Sequence, residues 1–341
     1  MILVTGGTGY IGSHTVVELL NEGFEVLVAD NLSNSNEEVL DGIFQICGKK
    51  PLFIKCDLVC KEEVVNLFNS YPNITGVIHF AAYKAVGESV QKPLKYYRNN
   101  LFSLVNLLEE MQLRKIHHLV FSSSCTVYGQ PEVLPVTEKS PVQMAMSPYG
   151  NTKQISEEII SDFSQTSTDF RATALRYFNP IGAHESAIIG ELPIGVPQNL
   201  VPYITQTAIG IRASLKVFGS DYNTPDGTCI RDYIHVVDLA KAHIVALNRM
   251  INKKNKTAFE IFNIGTGRGF SVLEVIKSFE KVSGEKLNYE MVDRRAGDIE
   301  KVWADTTLAS NELGWKSEKS LDEMLLSAWN WEQNLNKKKN N

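Results

Sequence analysis

Short, uniformly apolar runs alternate with longer amphipathic ones along the first half of the chain. Ile2–Thr5, Glu25–Ala29, Leu52–Lys55, Gly76–Phe80, His118–Ser122 and Ala172–Tyr177 have the length and composition of buried strands. Ile11–Asn21, Lys61–Ser70, Tyr96–Met111 and Pro148–Gln165 carry their apolar residues at helical spacing. Strands buried on both faces and joined by helices pair in parallel, with right-handed crossovers. The pattern therefore predicts an α/β fold built on a doubly wound parallel sheet.

Beyond about residue 180 the pattern loosens. Gly182–Pro202 is rich in Gly and Pro, and Ser220–Thr228 reads as a polar loop. Val236–Met250 then reads as a helix and Glu260–Ile264 as a strand ending in Gly265-Thr266-Gly267, so the chain is expected to rejoin the main sheet before leaving again. The expected division is a first domain over 1–180 plus about 232–265, and a smaller, mixed α/β C-terminal domain over 181–231 with 266–341. Lys337-Lys338-Lys339-Asn340-Asn341 reads as a solvated, frayed tail.

With 341 residues, 43% of them hydrophobic and 21% charged, the chain can bury a large core, which excludes intrinsic disorder. Its 34 basic and 39 acidic residues give a net charge of −5, and hence no electrostatic reason to expect nucleic acid or a membrane surface as partner. Cys47, Cys56, Cys60, Cys125 and Cys229 are scattered, with no Cys-x-x-Cys. No metal site is expected, and a reduced, cytoplasmic location fits. The start carries neither a basic leader nor an apolar stretch of about 20 residues, so the expectation is a chain that folds from residue 1 and stays in solution.

Gly6, Gly9 and Gly12 follow the first strand and open the first helix. Glycines there permit a tight turn and close backbone approach to a pyrophosphate, which the helix N-terminus attracts. Their spacing differs by one residue from Gly-x-Gly-x-x-Gly, and alone they are equally well explained as a structural turn. Asp30, closing the second strand, adds the carboxylate that accepts both ribose hydroxyls of NAD and repels the 2′-phosphate of NADP. The fold is thus read as a Rossmann sheet. Asp57, after the third strand, is a further candidate contact for the adenine amine.

Tyr149 and Lys153 lie four apart at the start of a predicted helix and so share one face. Ser122-Ser123-Ser124 ends the fifth strand, at the carboxyl edge where such sheets bind ligands. A tyrosine of pKa about 10 becomes a useful base only when positive charge favours its phenolate, and a neighbouring ammonium and an oxidised nicotinamide both do so. Ser124 is placed to hold a substrate hydroxyl beside it. An ordinary amphipathic face explains Tyr149 and Lys153 taken alone, but not together with the glycine turn and Asp30. His79, within a strand, reads as a packed side chain, and Cys125 has no partner pattern for a nucleophile.

Together these motifs resemble the extended short-chain dehydrogenase/reductase family, over nearly the whole chain from Thr5-Gly6-Gly7-Thr8-Gly9-Tyr10-Ile11-Gly12 to Trp329. The most specific segments are His79-Phe80-Ala81-Ala82-Tyr83-Lys84-Ala85-Val86-Gly87-Glu88-Ser89, Leu175-Arg176-Tyr177-Phe178-Asn179-Pro180 and Gly227-Thr228-Cys229-Ile230-Arg231-Asp232-Tyr233-Ile234-His235. Within that family the likeness is to members that invert C4 of a UDP-hexose. It implies interconversion of UDP-glucose and UDP-galactose by transient NAD-dependent oxidation at C4, rotation of the 4-keto sugar and return of the hydride.

The resemblance makes Tyr149 the acid/base, Lys153 its electrostatic partner and a ribose ligand, and Ser124 the assisting hydroxyl. It places a retained NAD against Gly6, Gly9, Tyr10, Ile11, Gly12, Asp30, Asn31, Asn34, Ser35, Asp57, Leu58, Phe80, Ala81, Lys84, Asn99 and Phe178. It places the UDP-sugar against Lys84, Tyr177, Asn179, Asn199, Leu200, Lys216, Val217, Phe218, Arg231, Tyr233, Arg295 and Asp298, with Val302 leaving room for an N-acetyl group. A homodimer through the helices near Tyr96–Met111 and Pro148–Gln165 is implied as well. Related dehydratases and decarboxylases carry carboxylates just after the serine segment, where this chain has Cys125-Thr126-Val127. A non-catalytic NAD-binding protein would not need Ser124, Tyr149 and Lys153 together.

Overall fold

Six strands occupy the first half of the chain in the expected order: β1 (Ile2–Thr5), β2 (Val26–Asp30), β3 (Leu52–Lys55), β4 (Gly76–His79), β5 (His118–Ser122) and β6 (Arg171–Tyr177). Between them run α1 (Tyr10–Asn21), α2 (Val39–Cys47), α3 (Lys61–Ser70), α4 (Val86–Gln91), α5 (Pro93–Leu113) and α6 (Pro148–Gln165). The chain then departs through β7 (Asn179–Ile181), α7 (Leu200–Ala208), β8 (Leu215–Phe218) and β9 (Ile230–His235), and returns as α8 (Val236–Ile251) and β10 (Phe259–Ile264). It departs again through β11 (Gly269–Ser271), α9 (Val272–Ser283), β12 (Tyr289–Val292), β13 (Lys301–Val302) and α10 (Leu321–Asn340). The structure is a computed structural model and describes residues 1–295 and 298–340.

The main sheet has seven parallel strands in the order β10-β6-β5-β4-β1-β2-β3. Strand order reverses at β1, which lies between β2 and β4, so a crevice opens at the carboxyl ends of β1 and β4. One apolar cluster, including Val16, Val17, Leu239 and Leu247, packs α1 and α8 on one face. A second, including Leu67, Phe68, Leu104 and Ile160, packs α3, α5 and α6 on the other. These faces explain why the strands read as unbroken apolar runs.

The remaining elements form a smaller mixed α/β region. In it β9 pairs with β7, β11 and β13, and β12 pairs with β8. Its own core joins Ile204, Val275, Phe279, Leu325 and Trp329. Three registers matter for the site: Asn179 opposes Tyr233, Val302 opposes Arg231, and Val292 opposes Phe218.

Several expectations need adjustment. Asp232 lies in β9, which pairs within the smaller sheet, while Ile234 of the same strand already packs into the main core. Ala309, Leu313 and Trp315 also pack into the main core, although they follow the second departure. Burial of hydrophobic surface, not position in the chain, decides that allegiance. The C-terminal lysines continue α10, because its buried Met324, Leu325 and Trp329 anchor a helix that simply extends; Asn341 lies outside the described residues.

Candidate active site

Gly6 has φ +69°, and a Cβ there would lie 2.8 Å from the Ala81 nitrogen, so the first turn needs glycine to pass under the β4 loop. A Cβ on Gly12 would lie 2.3 Å from the Gly6 oxygen. Gly9 is the N-cap of α1 and offers no side-chain cap, and no acidic residue occupies the first turn. The helix N–H groups there are left to an anion, and the cradle suits a pyrophosphate. Tyr10 and Ile11 begin α1, with the Tyr10 hydroxyl donating to the Gly182 carbonyl at 2.6 Å.

Asp30 is fixed at the crevice by the turns around it. Its carboxylate accepts from Leu32 N–H at 2.9 Å, Thr8 N–H at 3.3 Å and Ser35 Oγ at 3.2 Å. Asn31 caps the following turn through Ser33 N–H, and Asn34 is exposed on the same loop. Asp57 accepts from Val59 N–H at 3.0 Å, beyond the end of β3, while the Leu58 side chain is buried in the core. Across the crevice, Phe80 packs on His243 with ring centres 4.6 Å apart.

Lys84 and Asn99 depend on Asn100, which the sequence did not single out. Asn100 accepts from Tyr83 N–H at 2.9 Å and Asn99 Nδ2 at 3.0 Å, and donates to Thr152 at 3.0 Å. It therefore ties the β4 loop to α6, one residue before Lys153.

The proton-transfer group forms where β5 ends and α6 begins. Ser147 caps α6 by accepting from Gly150 N–H, and Pro148 occupies the first turn, which fixes the start so that Tyr149 and Lys153 both point inward. Lys153 Nζ donates to the Ser122 carbonyl at 2.6 Å and lies 6.0 Å from the Tyr149 ring centre. Ser124 accepts from Thr126 N–H and lies near enough to Tyr149 for its hydroxyl to influence the phenol. Burial raises the Tyr149 pKa above the ordinary tyrosine value, while Ser124 acts to lower it. Burial likewise pulls Lys153 down to about 8, with Glu157 acting to raise it. The expected lowering of the tyrosine is thus absent from the protein groups alone, because desolvation of a phenolate outweighs the nearby polar groups.

His79 is packed: its Nδ1 meets Thr5 Oγ1 at 2.7 Å, and burial lowers it to about 3. Burial raises Cys125 to about 12, so it is a poor nucleophile. Tyr177 accepts from Ser122 Oγ at 3.0 Å, and Phe178 joins Val127, Tyr128 and Val302 in a small buried cluster. Register then brings four of the residues singled out in the sequence together, with Asn179 beside Tyr233 and Arg231 beside Val302. Arg295 stacks over Phe218 at 5.5 Å and holds Asp298 at 2.7 Å. Lys216 is exposed, whereas the Val217 side chain is buried, leaving only its backbone for a ligand. Asn199 occupies the N-cap position of α7, whose first residue is Leu200, without a side-chain capping bond. Ala296 and Gly297, between Arg295 and Asp298, lie outside the described residues.

The GDP-mannose 4,6-dehydratase family model matches residues 3–327. A UDP-glucose 4-epimerase of Haemophilus influenzae is 51% identical over 333 residues, covering 98% of this chain and 97% of that protein. The chain belongs to the UDP-glucose 4-epimerase family. Among solved members of that family, the Stenotrophomonas maltophila enzyme with bound NAD and formylated UDP-arabinopyranose matches with a TM-score of 0.95 and 44% identity, covering 99% of both chains. The Bifidobacterium longum enzyme in complex with NAD+ and UDP matches at 0.93 and 46%, covering 98% of each. Membership accounts for the Rossmann sheet, the glycine turn and the Tyr149–Lys153 pair as one apparatus. Among the described residues no helix is long and apolar enough to cross a membrane.

Proposed function

We propose that this protein interconverts UDP-glucose and UDP-galactose by inverting C4 of the sugar, with NAD as its cofactor. The observation that carries the reading is the convergence of Ser124, Tyr149 and Lys153 beside a pyrophosphate cradle closed by Asp30. Gly6, Gly9, Tyr10, Ile11 and Gly12 would hold the pyrophosphate, Asp30 a ribose, and Asp57, Phe80, Ala81 and Phe178 the flanking surfaces. When bound, NAD supplies the two-electron acceptor and donor for C4 and a positive charge that favours the Tyr149 phenolate.

Tyr149 takes the proton of the C4 hydroxyl and returns it, while Ser124 holds that hydroxyl in line. Lys153, anchored on the Ser122 carbonyl, orients toward the ribose and contributes positive charge. Asn179, Asn199, Lys216, Phe218, Arg231, Tyr233, Arg295 and Asp298 grip the uridine diphosphate. The guanidinium groups supply charge-assisted bonds to phosphate oxygens. Inversion requires the keto sugar to turn over, so firm nucleotide contacts and loose sugar contacts are both needed.

A dehydratase needs an acid and a base beside the sugar, and Cys125 and Thr126 supply neither. Val302, small and packed beside Phe178, supports acceptance of UDP-N-acetylglucosamine and its galactosamine epimer. Leu94 and Phe102 on α5 are 80% and 58% exposed, which supports a homodimer through α5 and α6. Five unpaired cysteines support a reducing, cytoplasmic location. Incubation with UDP-galactose and separation of the sugars tests the main reading: UDP-glucose is expected, and its absence would refute it.

A further inference from the structure

Glu191 lies outside every motif read from the sequence, yet three residues of the candidate site gather around it. Its Oε1 accepts from Lys84 Nζ at 3.2 Å and from Asn199 Nδ2 at 2.6 Å. Lys84 follows β4 of the main sheet, whereas Asn199 immediately precedes α7 of the smaller region. The Lys84 ammonium also lies 6.0 Å from the ring centre of Tyr10, at the start of the pyrophosphate cradle.

The carboxylate is rigidly held. Its side chain is 11% exposed, against 49% for Lys84. The Glu191 carbonyl accepts the Trp331 indole N–H from α10 at 2.9 Å, and a Cβ on the preceding Gly190 would lie 2.6 Å from the Trp331 ring. The backbone before and at Glu191 is therefore clamped to α10.

Asn199 supplies the second line of argument. An asparagine at a helix N-cap ordinarily accepts a backbone N–H of the first turn with its side chain. Asn199 makes no such bond at the start of α7, and its amide turns to Glu191 instead. Local helix chemistry does not account for that orientation, and the carboxylate does. A carboxylate near a diphosphate cleft costs electrostatic energy, which the two donors held on Glu191 offset.

We propose that Glu191 is a positioning residue for nucleotide-sugar binding, holding Lys84 and Asn199, from opposite sides of the domain junction, in the orientation that meets the ligand. The inference rests on the UDP-sugar reading above. Steady-state kinetics with UDP-galactose and calorimetry with UDP, on the NAD-loaded wild type, E191Q and E191D, test it. In E191Q the KM and the Kd for UDP are expected to rise about tenfold, because a neutral amide replaces a charge-assisted acceptor. Its kcat is expected to stay within about twofold, since the reacting groups are untouched.

E191D keeps the charge on a shorter arm, and a smaller rise is expected. Its Kd for UDP decides the matter by itself if E191Q fails to fold: a wild-type value overturns the proposal. An unchanged Kd for UDP in folded E191Q also overturns it, and so does a lower one, which would mean that the carboxylate merely repels phosphate. A fall in kcat at constant KM does the same. A wild type that binds UDP without epimerising would defeat the functional reading, while the UDP affinities would still decide the role of Glu191.

Discussion

Lys153 reaches from the second turn of α6 to the carbonyl of Ser122, the last residue of β5, at 2.6 Å. That bond fixes helix to strand end and so sets Tyr149, one turn earlier, against Ser124, two residues later. The phenol is buried, and desolvation raises its pKa.

Tyr149→Phe removes that oxygen and keeps the packed ring. Turnover is expected to fall at least about 100-fold, the lower range for a general acid–base group. NAD content and melting temperature are expected to stay at wild-type levels. A near-normal rate would assign the proton transfer elsewhere.

Gly12→Ala forces a methyl to within 2.3 Å of the Gly6 oxygen, where backbone on both sides resists movement. A loss of roughly 1–3 kcal/mol of stability is expected, the range for overpacking, together with loss of retained NAD. Gly87→Ala, with open space around it, is the control and is expected to be neutral or slightly stabilising within α4. Thermal melts and cofactor absorbance after gel filtration provide the comparison.

Acid is expected to destabilise the fold from about pH 6.5 downward. Burial lowers His14 and His79 to about 3 and His235 and His243 to about 4. The unfolded chain binds protons at these sites near 6.5, so their contribution is complete above that pH and is lost as pH falls toward 3. Asp232, raised by burial to about 6, acts in the opposite sense: its contribution is present below about 4 and lost as pH rises through 6. Burial raises Glu18, Glu138 and Asp238 in the same sense as Asp232, and lowers His118 and His184 like the other four. The six histidines, titrating near 6.5 when unfolded, dominate this range, so urea midpoints at pH 7.5, 6 and 5 should decline in that order. A flat series would contradict the assignment of neutral buried imidazoles.

Val302→Tyr is expected to narrow the substrate range. Val302 is 3% exposed and packs with Phe178 and Val127, and on the UDP-sugar reading the added phenol extends toward the sugar. Turnover of UDP-N-acetylgalactosamine is expected to drop at least about tenfold, as expected for steric exclusion from a pocket, with UDP-galactose retained. Equal loss on both substrates would show a packing defect instead.

Much of this apparatus was legible in the chain itself. Parallel strands buried on both faces leave continuous apolar runs, and every strand of the main sheet was anticipated to within a residue or so at each end. The glycine turn, Asp30 and the Tyr149–Lys153 spacing are local, set by backbone sterics and helix period, and so are written in neighbouring residues. The smaller region was harder to read, because β7, β11 and β13 are two or three residues long and too short to carry a period. Only tertiary structure brought Asn179 to Tyr233, Arg231 to Val302, Asn100 to Thr152 and Glu191 to Lys84 and Asn199. Apart from Glu191 and Asn199, eight residues apart, those pairs are separated by tens of residues and rest on strand register or on the packing of one domain against another. Tertiary burial also set the sign of the Tyr149 shift, since the cost of desolvating a charge depends on everything packed around it.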